Sequence, residues 1–272
     1  MTHRVRRCVV AMIAACVMAL GDANAASPED IPPEILRAKA EPATVRIQGD
    51  TIYYTGNLSK ASSAVFDIAV AGVARGQITR MVIRSGGGDT VAGRHVGRWV
   101  KTMGLVVEVD VICFSSCADY IFPAGRARVI RANAFVGWHG NERQFAVLAK
   151  RRGVSLMDEL TQFVPKDFSP EQRAAFLQEA AQTLKVTQQD EADFYAQLGL
   201  NDAFSVCAVG DILEKRPGGA GRKGWGFSLA DMARLGLGNT VYLGDGIYEN
   251  DSSRFQQYLW RISADECLMF LK

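Results

Sequence analysis

Three short segments of this 272-residue chain carry residue types that can do chemistry together. Ser85-Gly86-Gly87-Gly88 follows the apolar run Met81-Val82-Ile83. Glycines after a buried strand let the main chain approach a ligand closely and aim N–H groups at a developing negative charge. No Gly-Lys-Ser/Thr follows, which excludes a phosphate loop. Phe114-Ser115-Ser116-Cys117-Ala118 follows a second run, the Val-rich stretch Leu105 to Ile112. A serine where a strand turns into a helix presents its hydroxyl at the strand end, beside a helix N-terminus that favours negative charge. Gly137-Trp138-His139-Gly140 ends a third run and places His139 where a general base is needed. Each segment alone has a plainer reading: a tight turn, an N-cap, a structural histidine. His95, beside Arg94 in a helical stretch, reads as a surface or packing residue.

The elements that must position these groups can be read from periodicity and punctuation. Thr44 to Ile47 and Thr51 to Tyr54 read as strands joined by the Gly49-Asp50 turn. Val65, Ile68, Ala69 and Val73 recur at helix spacing. Asp89 or Thr90 caps a helix that runs to Met103 and stops at Gly104. Ala127 to Ile130 and Ala134 to Val136 read as further strands. Ser169-Pro170-Glu171-Gln172 is a capping box with Pro at N1, and Thr187 opens a separate helix to Leu198. Asp190 and Asp193 would sit in the favourable first turns of that helix. Residues 216–226 hold five glycines and read as a loop. Strand–turn–helix alternation of this kind indicates an α/β fold with largely parallel strands and helical additions in the C-terminal half.

The three chemical segments together resemble the Clp-protease/crotonase superfamily. Ser85 to Gly93 is similar to the "SPGG…AG" segment of the Clp proteolytic subunit, and Phe114 to Gly125 to its nucleophile segment. The distance to Gly125 selects Ser116 over Ser115 as the nucleophile. The stretch Ser228 to Val241 resembles the closing helix-turn-strand. The resemblance implies repeated ββα units over residues 44–245, with a helical insertion over about 141–225 and a C-terminal extension over 246–272. It implies Ser116 as nucleophile, His139 as base, and an oxyanion hole from Gly87, Gly88 and Cys117. The acid is the gap in the pattern. Asp211 is the candidate and Asp202 the alternative, because the glycine-rich stretch at the aligned position has no carboxylate. The expected activity is a serine peptidase acting on a peptide or protein, without cofactor or metal. A homo-oligomer is compatible with this, although ring assembly does not carry over. A peptide-binding module without a competent acid, crotonase-type acyl-CoA chemistry, and a metal site from Cys113, Cys117 and His139 are the competing readings.

Composition supplies the setting. Lys and Arg number 31 against 29 Asp and Glu, which gives no electrostatic case for nucleic acid. Arg4, Arg6 and Arg7, the apolar stretch Cys8 to Leu20, and Ala23-Asn24-Ala25 match a secretory signal over residues 1–25. That implies a periplasmic or secreted protein without a membrane anchor after cleavage, with an irregular segment over 26–43. Cys113, Cys117, Cys207 and Cys267 then remain in an oxidising compartment, where Cys207 with Cys267 is the expected disulfide. Cys113 and Cys117 are left either as a local bridge or as two free thiols.

Overall fold

The computed structural model describes residues 33–210, 212, 213, 216 and 222–272. The signal segment and Asp211 lie outside the described residues. The short helix α1 (Pro33–Arg37) precedes the hairpin of β1 (Thr44–Gln48) and β2 (Thr51–Thr55). There follow α2 (Lys60–Val70), β3 (Arg80–Ser85), α3 (Thr90–Met103) and β4 (Val106–Phe114). A π-helical turn (Cys117–Ile121) runs into α4 (Phe122–Ala124), then β5 (Ala127–Ile130) and β6 (Phe135–Gly137). The helices α5 (Gln144–Arg152), α6 (Leu156–Thr161), α7 (Pro170–Leu198) and α8 (Ala203–Val206) come next. The chain closes with β7 (Gly224–Gly226), α9 (Leu229–Arg234), β8 (Thr240–Tyr242), α10 (Tyr248–Asp251), α11 (Ser253–Tyr258), β9 (Leu259–Arg261) and α12 (Ala264–Phe270).

The main sheet runs β1-β2-β3-β4-β5-β8, with only the β1–β2 pair antiparallel. Strand β4 is long enough to serve two partners on one edge. Its first half, Val106 to Val109, pairs with β5, and its last residues, Ile112 to Phe114, pair with β6. Because side chains alternate across a strand, one face presents Ile52, Tyr54, Met81, Ile83, Val107 and Val109, all buried in the core. The other presents charged and polar residues. The fold is the α/β, mainly parallel architecture that the residue pattern implied.

Helix α3 closes the core under the site by virtue of two small residues. Asp89 caps it, accepting from the Ala92 N–H at 2.7 Å, and Gly104 ends it in the left-handed region. Gly93 and Gly97 share one face and press on the π-helical turn. A Cβ on Gly93 would lie 2.7 Å from the Tyr120 ring and 3.1 Å from the Ser116 carbonyl oxygen.

Three local expectations are corrected. Pro170 to Leu198 is one continuous helix rather than two, because no breaker intervenes. Asp190 is therefore in mid-helix, where it binds Arg94 Nε at 2.6 Å and Arg98 Nη2 at 2.5 Å. Gly224 to Gly226 is strand, not loop. It pairs with β9 from the far end of the chain and with Trp138, whose carbonyl oxygen would be 2.1 Å from a Cβ on Gly224. No helix among the described residues is long and apolar enough to cross a membrane.

The α3 contact is testable. Gly93→Ala gains helix propensity but must displace Tyr120, which is held by Glu191 and covered by Arg94. Overpacking of this kind costs about 1–3 kcal/mol, against a propensity gain of about 1 kcal/mol. The urea midpoint of Gly93→Ala is expected to fall; a rise would show that the contact is slack.

Candidate active site

The elbow after β4 is a conformation that an unsupported chain would not keep. Ser115 has φ of +57°, in the left-handed region, where a side chain costs about 1–2 kcal/mol. Three constraints hold it there. Its N–H donates to the Gly137 carbonyl at 3.0 Å, and its own carbonyl accepts from the Asp119 N–H at 2.8 Å. Cys113, near the end of β4, is disulfide-bonded to Cys117, the first residue of the π-helical turn, with Cα atoms 5.2 Å apart. The bond thus spans Phe114, Ser115 and Ser116. Cys207 and Cys267 form the second, expected disulfide.

The glycine turn lies against this elbow. Gly87 and Gly88 have φ of +92° and +130°. A Cβ on Gly87 would sit 2.6 Å from both the Phe114 carbonyl oxygen and Ser115 Cβ, and 3.0 Å from Ser115 Oγ. The Leu58 N–H donates to the Gly87 carbonyl at 2.7 Å and the Asp89 N–H donates to the Leu58 carbonyl at 2.8 Å. That pattern turns the N–H and carbonyl of Gly88 itself away from Leu58, toward β4. There the Gly88 carbonyl accepts the Ser116 hydroxyl at 2.7 Å. Helix α3 begins immediately beyond, at Thr90, and the π-helical turn begins at Cys117. First-turn amides have no partner within their own helix, so both starts bring positive potential to one place.

These distances assign the two serines differently from the motif spacing. Ser116 is fully buried and its proton is given to Gly88, so it braces the turn instead of serving as a free nucleophile. Ser115 faces Gly87, and its buried Oγ has no hydrogen-bond partner. His139 follows β6, and its ring packs on Phe114 with centroids 5.0 Å apart. Burial pushes its pKa down to about 4. Among the described residues no hydrogen bond joins His139 to Ser115 or Ser116. Asp202 is not available as the acid, because Asn141 Nδ2 at 3.2 Å and Arg143 Nη1 at 2.8 Å already hold its carboxylate. Burial pulls the Asp202 pKa upward despite these partners. Gly87 gives its N–H to Ser85 Oγ at 3.2 Å, while Cys117 opens the π-helical turn as a half-cystine. A Cys113–Cys117–His139 metal site is ruled out by the disulfide, which leaves no thiolate to bind.

Sequence reasoning missed the buried polar layer that steadies this edge. Glu142, three residues after His139, accepts the Thr90 hydroxyl and also the Thr187 hydroxyl at 3.1 Å, and it pairs with Arg94 at 3.7 Å. It therefore ties the His139 loop to the first residue of α3. Thr90 and Arg94 lie one helical turn apart, the one signal in the sequence for a shared partner. Behind them, Glu191 accepts from the Tyr120 hydroxyl at 2.5 Å, and burial pushes its pKa up to about 8. Asp119 is fully buried, and burial raises its pKa well above its ordinary value.

Two measurements check this site. Replacing both Cys113 and Cys117 by serine removes a five-residue loop constraint worth about 2 kcal/mol. The expected result is that loss of stability together with faster amide exchange confined to residues 113–121; unchanged exchange there would show the elbow to be self-supporting. For His139, the neutral ring is favoured in the fold. Its contribution is complete above the unfolded value near 6.5 and is lost as pH falls toward 4, up to about 3 kcal/mol. Histidine ring resonances followed by NMR should show one titration near pH 4, and a value near 6.5 would contradict the burial.

No protein-family model matches the chain, and no curated protein matches it. Solved structures similar to it include an enoyl-CoA hydratase from Thermoplasma volcanium, at 9% identity and TM-score 0.31, covering 58% of this chain and 97% of that one. A methylmalonyl CoA decarboxylase is similar at 12% identity and TM-score 0.30, covering 57% and 72%. An enoyl-CoA hydratase from Mycobacterium avium subsp. paratuberculosis is similar at 12% identity and TM-score 0.30, covering 60% and 82%. These neighbours are named as enzymes of CoA thioesters and none as a serine peptidase, so the expected serine peptidase finds no support among them. The local geometry agrees, since Ser116 is committed elsewhere and His139 is a weak base. The chain has a mixed α/β fold with a mostly parallel sheet, and among the described residues the Ser116 hydroxyl donates to Gly88 and no hydrogen bond joins it to His139.

Proposed function

We propose that this chain is a carbonyl-polarising enzyme acting on an acyl thioester at the C-terminal edge of β3, β4 and β6. The observation that carries the reading is the contact of Gly87 with Ser115, 2.6 Å from a hypothetical Cβ to a real one. It supports a reading in which the amide of Gly88, the first-turn amides at Ser116 and Cys117, and the starts of α3 and the π-helical turn converge on one acyl oxygen. Preorganised amides of this kind stabilise a developing oxyanion or enolate by several kcal/mol. The unpartnered Ser115 hydroxyl is the polar side chain left to contact the acyl group.

The thioester follows from the chemistry that is missing. Amide cleavage demands a strong general base to activate a nucleophile and to protonate a poor leaving group. His139, with its pKa held near 4, is too weakly basic for that task. A thioester carbonyl lacks the amide's resonance, so polarisation alone brings it far toward an enolate or an addition intermediate. Two disulfides support the expectation of an exported protein, since such bonds persist in oxidising compartments.

The test uses short acyl thioesters of N-acetylcysteamine. Wild-type protein in deuterated water is expected to catalyse exchange of the α-proton or turnover of the thioester, and Gly88→Ala should lose about a hundredfold or more. Absence of both reactions in the wild type, or equal rates in a folded Gly88→Ala variant, would refute the reading.

A further inference from the structure

The face of the sheet turned away from the core carries a second concavity, of about 530 Å³. The β1–β2 and β2–β3 registers set Arg46 opposite Tyr53 and Thr55 opposite Arg84. Asp110 and Arg131 continue the same face from β4 and from the end of β5. Arg37 of α1 closes one side. The walls therefore hold four guanidinium groups and one carboxylate.

Those guanidiniums fall into two sets. Arg84 Nε binds Asp110 at 3.0 Å, and Arg131 Nη1 binds the other oxygen of Asp110 at 2.5 Å. Asp110 thus fixes two forks side by side on the floor. Arg131 also reaches Glu108 at 2.5 Å, just outside the concavity, and Arg80 pairs with the same carboxylate. Arg37 and Arg46 pair with no carboxylate among the described residues. Arg46 lies over the Tyr53 ring, 4.1 Å from its centroid, and gives Nη1 to Gln48 at 3.0 Å. Stacking orients a planar fork while leaving its other donors directed outward.

A different grouping of cations shows what a merely structural arrangement looks like. Arg75, Lys101, Arg126 and Arg128 line the opposite, N-terminal edge of the strands. There α3, α4, α7 and α9 all end, and Arg128 gives its protons to the carbonyls of Phe122, Pro123 and Gly238. Those cations answer helix carbonyl ends. Arg37 stands in the last turn of α1, where a cation suits the helix's own carbonyl end, whereas Arg46 is carried by strand β1.

We propose that this concavity is a binding site for a multiply charged phosphate group. Paired arginine forks match tetrahedral oxyanions through two parallel N–H···O bonds each. Asp110 and Tyr53 hold three of the four forks in place before a ligand arrives, which lowers the ordering cost on binding. The site is independent of the acyl chemistry proposed above.

The probe is inorganic pyrophosphate, titrated calorimetrically into the full-length protein at low ionic strength, with citrate as a polycarboxylate control. Pyrophosphate is expected to bind, more weakly as salt is raised, and Arg46→Gln is expected to weaken it by about tenfold. Arg126→Gln, at the other edge, should leave binding unchanged. Arg46 is exposed, so its replacement is compatible with folding, and an unchanged melting temperature confirms it. Failure of pyrophosphate to bind wild type, equal binding by Arg46→Gln, or tighter binding of citrate would each overturn the assignment.

Discussion

Everything at the candidate site depends on one steric condition: Gly87 and Ser115 occupy space that admits no additional carbon atom. Where the gap is 2.6 Å to a side-chain atom and 2.6 Å to a carbonyl oxygen, any other residue at position 87 would separate the two strand ends. The glycine turn and the serine elbow come from segments that are 28 residues apart, yet they behave as one piece of main chain. Ser116 completes the joint by donating to Gly88. The main chain of both segments is thereby fixed by packing, with little conformational freedom left.

The elbow itself is an unfavourable conformation made permanent by its surroundings. A non-glycine residue at positive φ persists only where neighbouring structure over-determines it. Here one disulfide that spans the residue, a hydrogen bond to β6 and the close glycine supply that redundancy. Both cysteines are buried, so the bond is shielded from solvent reductants and acts as a brace. The Glu142 ties to Thr90 and Thr187 do the same for the loop that carries His139.

Much of this was legible in the residues, for physical reasons that differ from element to element. The strands Arg80–Ser85 and Val106–Phe114 announce themselves by Met81, Ile83, Val107 and Val109, whose face is buried in the core. Helix α3 is framed by Asp89 and Gly104, residues whose capping role is local. Spacing to Gly125 singles out Ser116, yet what separates the two serines in the fold is a backbone angle at Ser115 held by β6 and the disulfide. The basicity of His139 was equally hidden, as it is set by burial against Phe114. Asp202 has the chemistry of a triad acid, but Asn141 and Arg143, some sixty residues earlier in the chain, hold its carboxylate. The glycines of Gly224–Gly226 signal looseness on their own; only a partner strand some thirty-five residues later makes them order.

That late partner ties a local edge to a remote segment. Trp138, next to His139, pairs with Trp225 of β7, and β7 pairs with β9, more than a hundred residues beyond Trp138 along the chain. Contacts this distant in sequence repay the entropy of closing the loop only once they are made. The edge that carries His139 is therefore fastened by some of the most non-local pairings in the molecule.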